Sequence, residues 1–282
     1  MSQHKNSPSS KSPKGLSPQN NSQENGTITA FVINLDSAKD RWTHIEASFA
    51  KTQFQLQRVP AVDGNLISLP AKDYAESCFR RFHGRGTNPY EVACYWSHVK
   101  AIQAFLETGD EYGLICEDDI VLGPELDAVV AEAVRLGRYW NVLRLTGLSN
   151  GKAVKLKNLH ENYFLSIHAG RLKGAGAYIV DRQAAEAYAK RLLPMWLPFD
   201  HAVDREWFFG LSAASITPFP ISQTDGKFRT SIQRHSAAKL TRWQRWASIY
   251  PYQAFNEITR WAFRAGHIAS LSVRLSRVFQ PQ

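Results

Sequence analysis

The chain has 282 residues, of which 44% are hydrophobic and 21% are charged. This is enough apolar content to bury a core in one large or two small domains, and the ordinary usage of proline and glycine excludes collagen-like and low-complexity chains. Cys78, Cys94 and Cys116 share no metal-ligand spacing and cannot all pair, which favours a reducing compartment. There is no long apolar run and no apolar leader, so we expect a cytoplasmic protein without a transmembrane helix.

The formal net charge of +9 is concentrated in the C-terminal part of the chain. Positions 227–282 hold ten Lys and Arg residues and one acid, Glu257, so this segment alone carries +9. The other 226 residues hold 24 basic and 24 acidic residues and sum to zero. The main domain and the basic C-terminal segment therefore need separate explanations.

The first half of the chain alternates short apolar runs with helical patterns. TITAFVINL predicts a buried strand, and a helix capped by Asp36 or Ser37 follows it. FQLQRVPAVDG predicts a second strand that ends in a turn at Asp63-Gly64, and the basic stretch 71–87 reads as irregular. Asn88-Pro89 then begins a helix with a broad apolar stripe, which leads into a third strand, YGLIC.

The second half continues this alternation. Pro124 opens a helix, WNVLRL and GAGAYIV predict two further strands, and a helix is expected over 182–193. Strands that alternate with helices predict an α/β sandwich with a mostly parallel sheet. We divide the chain into a disordered segment 1–26, which is almost free of apolar residues, a domain over 27–237, and a basic amphipathic helical tail over 238–282.

Three consecutive acids, Glu117, Asp118 and Asp119, come directly after the third predicted strand. Ligands of open α/β sheets bind at the carboxyl ends of the strands, and carboxylates there can hold Mg²⁺ or Mn²⁺. Such a cation can bridge a nucleotide diphosphate and neutralise a departing phosphate. The alternative is a solvated acidic turn in which Asp119 only favours the N-terminus of the next helix.

A second group of reactive residues lies on the helix that begins at Asn88-Pro89. Glu91, Cys94 and His98 are spaced by three and four residues and share one face. Cys94 and His98 could form half of a zinc site or a nucleophilic pair, although no second ligand pair is evident. The alternative is a set of satisfied polar groups at a contact between helix and sheet.

A third group, PFDHAVDREW, is dense in acids and aromatic residues. One of its carboxylates could act as a general base that removes a hydroxyl proton, or Asp200 could cap a helix while Asp204 and Glu206 face water. Gly174 and Gly176 precede the strand AYIV; they lack the following helix of a phosphate loop, but small residues there allow a ligand or another strand to approach.

In this order, six segments of the chain resemble glycosyltransferase family 25, which includes lipooligosaccharide galactosyltransferases and procollagen galactosyltransferase domains. The segments are FVINLDSAKDRW, RVPAVDG, NPYEVACYWSHVKAI, GLICEDDIVL, GAGAYIVDRQAA and LPFDHAVDREW, and together they span roughly residues 28–232. The resemblance implies a nucleotide-binding α/β fold of the GT-A type. It also implies transfer of a sugar from a UDP-sugar, with galactose as the expected sugar, to a lipooligosaccharide or related glycan with inversion at the anomeric carbon.

The resemblance also assigns residues to a site. Glu117, Asp118 and Asp119 occupy the position of the acidic motif that holds Mn²⁺ or Mg²⁺, with Asp119 as the direct ligand. The resemblance assigns nucleotide or substrate contacts to a larger set: Asn34, Arg41, Asp63, Glu91, Ser97, His98 and Gly176. It implies that Asp200 is the general base, with Asp204 as the second candidate. His235 is expected to be a further metal or diphosphate contact.

The C-terminal tail alternates aromatic and basic residues. Trp243, Trp246 and Tyr250 are spaced by three and four, and arginines are interleaved with them and with the apolar residues that follow. A basic helix with tryptophans suits the headgroup region of an anionic membrane, which would place the protein on the inner face of the cytoplasmic membrane beside a lipid-linked acceptor. The alternative is that the helix packs on the domain and its arginines are solvated.

Two other functional classes compete with a glycosyltransferase. A nucleic-acid-binding protein could use the basic aromatic tail for phosphate contacts and stacking, but this hypothesis leaves the acidic triplet unexplained, and we expect no nucleic-acid partner. A catalytically silent scaffold on the same fold is the other hypothesis, and the intact triplet argues against it. A metal-dependent phosphoesterase would need His/Asp clusters that the sequence lacks.

Overall fold

The computed structural model of the chain describes residues 27–148, 152–223, 241, 243 and 245–278. The segment 1–26, for which disorder is predicted, lies outside these residues. So do the predicted domain boundary at 237/238 and His235, and these three expectations stay predictions.

A central sheet of eight strands organises the fold, and two short strands form a separate ribbon. The strands are β1 (Thr29–Asn34), β2 (Gln55–Pro60), β3 (Tyr112–Glu117), β4 (Ile120–Leu122), β5 (Val142–Arg144), β6 (Ala153–His160), β7 (Tyr163–His168), β8 (Ala177–Asp181), β9 (Ala213–Thr217) and β10 (Ile221–Gln223). The order in the large sheet is β2-β1-β3-β8-β5-β9-β7-β6, and β10 pairs with β4 in the ribbon. The non-sequential order means that the chain crosses the sheet several times.

Most strands of the large sheet run in one direction. β1 is parallel to both β2 and β3, and β5 is parallel to β9. β8 runs antiparallel between β3 and β5, and β7 runs antiparallel between β9 and β6. Six of the eight strands therefore share a direction, which confirms the predicted mostly parallel sheet.

Helices cover both faces of this sheet. They are α1 (Lys39–Phe49), α2 (Glu76–His83), α3 (Pro89–Leu106), α4 (Leu126–Val134), α5 (Arg182–Arg191), α6 (Phe199–Val203), α7 (Glu206–Phe209) and α8 (Tyr250–Val278). Successive side chains of a strand face opposite sides. Phe31 and Ile33 of β1 accordingly join a core with α3 and α5, whereas Ala30 and Val32 join a core with α1 and α4. The α/β/α sandwich predicted from the alternating pattern is confirmed.

Local sequence signals account for the elements nearest the sheet edge. β1 is buried along its whole length, as expected for a continuous apolar run. The Asn88 side chain accepts a hydrogen bond from the Glu91 backbone N–H, and Pro89 occupies the first turn, so α3 begins where the sequence predicts. This start fixes the face of α3 that meets the end of β3.

Two regions differ from the sequence predictions. Positions 71–87, expected to be irregular, contain α2, which buries Phe79 and ends at Gly84 in the left-handed conformation. Phe79 and Phe82 are its only large apolar residues, which are too few for a periodic signal. The hairpin of β6 and β7 was not predicted either; its half-exposed β6 carries three lysines or asparagines among its eight residues and lacks an apolar run.

The C-terminal segment forms α8, a helix of 29 residues, which confirms the predicted helical character. Leu271 and Leu275 on its inner face belong to the same core as α1 and α4. Before it, a five-residue π-helical turn, Arg245–Ile249, buries Ile249. No helix in the described part of the chain is long and apolar enough to cross a membrane.

Candidate active site

The sheet brings the polar ends of β1 and β3 together. The two strands are parallel neighbours, with Ile33 opposite Glu117. Asn34 at the end of β1 therefore lies beside the turn that carries Asp118 and Asp119. Because parallel strands end at the same edge, residues more than 80 positions apart in the sequence form one polar cluster.

Asp118 is held by protein groups on both of its carboxylate oxygens. Asn34 Nδ2 donates to Oδ2 at 2.6 Å, and a guanidinium nitrogen of Arg41 lies 2.8 Å from Oδ1. Arg58 in turn donates to the Asn34 side-chain oxygen at 2.9 Å. Burial raises the pKa of Asp118, and Arg41 and Asn34 partly offset that shift. These contacts let Asp118 brace β1, α1 and β3, and each carboxylate oxygen keeps a second lone pair that a cation could share.

Of the two aspartates at this edge, Asp119 has the more strongly raised pKa. Burial, together with the charges of Glu117 and Asp118, raises the pKa of Asp119 to about 7. A divalent cation between these carboxylates would relieve that repulsion, and oxygen ligands are those that Mg²⁺ and Mn²⁺ prefer. The residues present therefore fit such a cation, with Asp119 and Glu117 as the groups that would hold it.

Glu117 is surrounded by groups from three other elements. Its Oε1 lies 3.3 Å from His98 Nε2 on α3, and Gln223 of β10 donates to its Oε2 at 3.5 Å. Its backbone N–H donates to the carbonyl of Gly176 at 2.8 Å. A Cβ atom on Gly176 would come within 2.9 Å of the Gln223 amide nitrogen, so the glycine leaves room for that side chain beside Glu117.

His98 is a buried, fixed member of the site. Its ring stacks on Phe199 with centroids 4.1 Å apart and planes 7° from parallel. Its Nδ1 lies 3.2 Å from the Tyr178 hydroxyl, while Nε2 faces Glu117. The ring therefore sets the position of the Glu117 carboxylate, and it ties α6 to the end of β3.

Cys94 completes a possible ligand group with His98 and Glu117. The Cys94 thiol points to Glu117 Oε1 at 3.9 Å, and one donor atom from each of the three residues lies within 4.8 Å of the others. No partner for the Cys94–His98 pair could be identified from the sequence, because Glu117 comes from another element. Burial and the nearby acids raise the pKa of Cys94 well above its usual value, which favours a packed thiol over a nucleophilic thiolate.

Of the two candidate bases, Asp200 lies next to this cluster. It follows Phe199, which stacks on His98, and its charge contributes to the raised pKa of Cys94. Its carboxylate accepts hydrogen bonds from the backbone N–H groups of Gly174, at 3.1 Å, and His201, at 2.9 Å. Gly174 has a φ of +83°, a conformation that favours glycine, and this conformation aims its N–H at the carboxylate.

Asp204 lies in a different environment. Its side chain is 3% exposed, and its two oxygens lie 2.8 Å from Arg264 and 3.2 Å from Arg260 of α8. Glu206 is also buried and pairs with Arg264 at 2.6 Å. The alternative in which Asp204 and Glu206 face water is wrong, and a carboxylate enclosed by two guanidinium groups is poorly placed to receive a proton from an acceptor. The geometry gives Asp204 a structural role.

The remaining predicted site residues brace the loops around the cluster. Ser97 accepts a hydrogen bond from the Val62 backbone N–H at 2.8 Å, and Asp63 caps a short 3₁₀ turn. Glu91 pairs with Arg85 through both oxygens, at 2.5 and 2.6 Å. The structure therefore places Asn34, Arg41, His98 and Gly176 in contact with the acidic triplet, whereas the contacts of Ser97, Asp63 and Glu91 are to neighbouring loops. Gln223 and Arg58 were missed, since nothing in their local sequence marks them.

Comparisons with known proteins agree with this assembly of motifs. The family model "Glycosyltransferase family 25 (LPS biosynthesis protein)" matches residues 27–204. The chain is 24% identical over 207 residues to the Neisseria meningitidis lacto-N-neotetraose biosynthesis glycosyltransferase LgtE. This alignment covers 66% of this chain and 71% of that protein. It is 25% identical over 234 residues to the Haemophilus influenzae lipooligosaccharide biosynthesis protein lic2B, covering 78% of this chain and 84% of that one.

One solved structure with a low overall similarity is a glycosyltransferase involved in glycosylation of the major capsid of PBCV-1. It has 13% sequence identity and a TM-score of 0.34, and it covers 65% of this chain and 77% of that one. The family match, in contrast, extends over more than half of the chain and contains β1, α3, the acidic triplet and Asp200. The chain belongs to glycosyltransferase family 25.

Proposed function

We propose that this glycosyltransferase transfers galactose from UDP-galactose to a glycan acceptor of the lipopolysaccharide or lipooligosaccharide type, with inversion and with the help of Mn²⁺ or Mg²⁺. The observation that carries the proposal is the crowding of Glu117 and Asp119 at the carboxyl edge of a mostly parallel sheet, where the pKa of Asp119 is raised to about 7. The acceptor class is suggested by the biosynthetic roles in the names of LgtE and lic2B.

Different residues of the chain would have different roles in binding the donor. Asp119 and Glu117 would hold the cation, while Asn34, Arg41 and Arg58 keep the adjoining Asp118 carboxylate in place. The cation would bind the diphosphate of the donor and neutralise the charge that develops on it as it departs. His98 and Gln223 fix the Glu117 carboxylate from either side.

Inversion requires direct displacement at the anomeric carbon. A bond forms between the acceptor oxygen and that carbon while the bond to the UDP oxygen breaks, and the acceptor proton must pass to a base. Asp200 is the candidate base, because it lies beside His98 and its carboxylate is held by two backbone N–H groups. Those hydrogen bonds orient the carboxylate before the acceptor arrives.

Calorimetric titration of UDP and UDP-galactose tests the donor site, in Mn²⁺ and in chelator. We expect binding that needs the cation in the wild type, and Asp119→Asn to weaken it on the order of a hundredfold, as expected for loss of a charged ligand. Glu186→Gln, which removes an exposed carboxylate from α5, is the matched control and should bind normally. Absence of UDP binding in every cation condition would refute the proposal.

The role of Asp200 needs a separate measurement. Asp200→Asn should leave UDP affinity unchanged and lower the turnover of a β- or α-linked product on the order of a hundredfold or more. The anomeric configuration of the product, read by NMR, distinguishes inversion from retention. UDP binding without transfer to any glycan acceptor would instead favour the silent-scaffold hypothesis.

A further inference from the structure

The outward side of α8 and of the turn before it exposes a run of large apolar side chains. Six residues are between 47% and 85% exposed, a high value for side chains of this size, and five of them are on the turns between 246 and 261. We call this set the aromatic face: Trp243, Trp246, Tyr250, Phe255, Ile258 and Trp261. Large apolar side chains that are concentrated on a solvent-exposed surface indicate a site of interaction.

The opposite side of the same helix is fixed to the domain. Arg264 binds Asp204 and Glu206, and it also donates to the carbonyls of His168, at 3.0 Å, and Gly170, at 2.5 Å. Arg260, 1% exposed, pairs with Asp204 and with Glu257. Rolling the helix to bury the aromatic face would expose these ion pairs and break them. The face is therefore held outward by the fold.

The segment of the sequence that carries the aromatic face is basic. Positions 227–282 contain ten basic residues, and the single acid, Glu257, already pairs with Arg260 and Arg171. Arg264 is balanced within the domain, whereas Arg274 is exposed beyond the aromatic face. A second copy of the chain on this face would bring two such basic segments together, but an anionic surface would neutralise them.

We infer that the aromatic face docks α8 on the headgroup region of an anionic lipid bilayer. Tryptophan and tyrosine side chains combine an apolar ring with a polar group and suit that region, and each basic residue near an anionic leaflet adds attraction. The helix lies along the membrane surface, with its apolar side chains among the headgroups and its ion-paired side on the sheet.

The inner side of α8 borders a pocket that lies next to the candidate base. Tyr252 and Asn256, on the same turns as Phe255 and Ile258, line a pocket together with His83 and His201. His201 directly follows Asp200, the candidate base. The further point that the acceptor is lipid-linked rests on the proposed function, while the docking itself does not.

Vesicle co-sedimentation of the full-length protein tests the inference, with phosphatidylcholine vesicles that contain or lack phosphatidylglycerol. We expect binding to the anionic vesicles that weakens as salt rises, and a loss on the order of tenfold or more in the triple variant Phe255→Ser/Ile258→Ser/Trp261→Ser. The matched control, Leu66→Ser/Leu148→Ser, removes residues that are 83% and 67% exposed elsewhere and should bind as the wild type does.

Three outcomes would overturn the inference. The first is equal sedimentation of the wild type and the triple variant with the vesicles, and the second is a control variant that loses as much vesicle binding as the triple variant. The third is that neither protein binds vesicles, while analytical ultracentrifugation shows a wild-type dimer and a monomeric triple variant. Circular dichroism and UDP titration without lipid show that the triple variant is folded. Since UDP binding is measured in the absence of vesicles, failure of the donor-site proposal is distinguishable from failure of membrane docking.

Discussion

Two clusters of carboxylates in this protein differ in how arginines neutralise them. At the edge of the sheet, Glu117, Asp118 and Asp119 lie together, and the ion pair of Arg41 is with Asp118. At the base of α8, Asp204 and Glu206 are enclosed by Arg260 and Arg264, which contact them at 2.6 to 3.2 Å. Two arginines thus enclose the cluster at α8, whereas at the sheet edge burial and the neighbouring carboxylates raise the pKa of Asp119 to about 7.

The difference indicates what each cluster is for. Carboxylates whose charge is matched inside the protein hold elements together, because separating them from their partners exposes a buried charge. Carboxylates that raise one another's pKa are unfavourable in the isolated protein, and such groups concentrate at functional sites. The sheet edge is accordingly the place where the proposed cation would contribute most, and the base of α8 holds structural elements together.

The largest effect is expected from breaking the balanced cluster. Arg264→Ala leaves Asp204 and Glu206 buried beside one arginine, so we expect the free energy of unfolding to fall by about 3–5 kcal/mol. Urea denaturation measures it. Arg274→Ala, on an exposed part of α8, is the control and should change stability by less than about 0.5 kcal/mol. A loss below about 1 kcal/mol for Arg264→Ala would contradict the structural role.

Removing a charge from the cluster at the sheet edge should raise the free energy of unfolding. A carboxyl group whose pKa is raised on folding binds its proton more tightly in the folded state, so its ionised form destabilises the fold above pH 7. At pH 8 in chelator, Asp119→Asn should raise the free energy of unfolding by about 2 kcal/mol. Asp204→Asn, in contrast, should lower it, and destabilisation by both variants would contradict the comparison.

A pH-dependent effect is expected at His83, whose ring packs against His201 with centroids 5.1 Å apart. Burial, with the nearby His201 and Arg85, lowers the pKa of His83 to about 4. The unfolded chain therefore binds a proton that the folded protein does not as the pH falls from 6.5 towards 4, and stability is lost in that window. The slope should be at most about 1.4 kcal/mol per pH unit from this group. His83→Gln should flatten it in parallel urea titrations, and an unchanged slope would contradict the assignment.

The smallest effect on stability is expected at Gly176. A Cβ there meets the amide end of the flexible Gln223 side chain at 2.9 Å and Thr146 Cγ2 at 3.3 Å, so Gly176→Ala should change stability by less than about 1 kcal/mol. It should displace Gln223 from Glu117 and weaken cation-dependent UDP binding by about threefold to tenfold. Gly109→Ala, with no neighbour within 4 Å, is the control. Equal UDP affinities in the two variants would argue against a role for Gln223.

The parts of the site that follow from local patterns could be predicted from the sequence. The apolar run before Asn34 gives β1, the cap at Asn88 gives the start of α3, and the strand YGLIC places the acidic triplet at a sheet edge. Family resemblance then joins these pieces in the right order. Because β1 and β3 are neighbouring parallel strands, Asn34 and the acidic triplet lie at the same edge of the sheet.

The pairings across long sequence separations could not be predicted. Glu117 meets Gln223 at a separation of 106 residues, and Asp204 meets Arg264 at a separation of 60. Neither partner carries a local mark, because a lone glutamine or arginine on a helix or strand is as compatible with solvent as with a buried acid. The same limit explains why the sequence suggests Asp204 as a base. The sequence shows that the residue is an aspartate, but it does not show that Arg260 and Arg264 enclose its carboxylate.

The long separation between Glu206 and Arg264 also sets the order in which the chain can become native. Synthesis proceeds from the N-terminus, so Glu206 is made 58 residues before Arg264, the arginine that neutralises it. Until α8 is complete, closing the core around β9 would enclose two acids without their counter-ions. We therefore expect the newly made domain to stay open on that side until α8 has been synthesised and can supply its arginines.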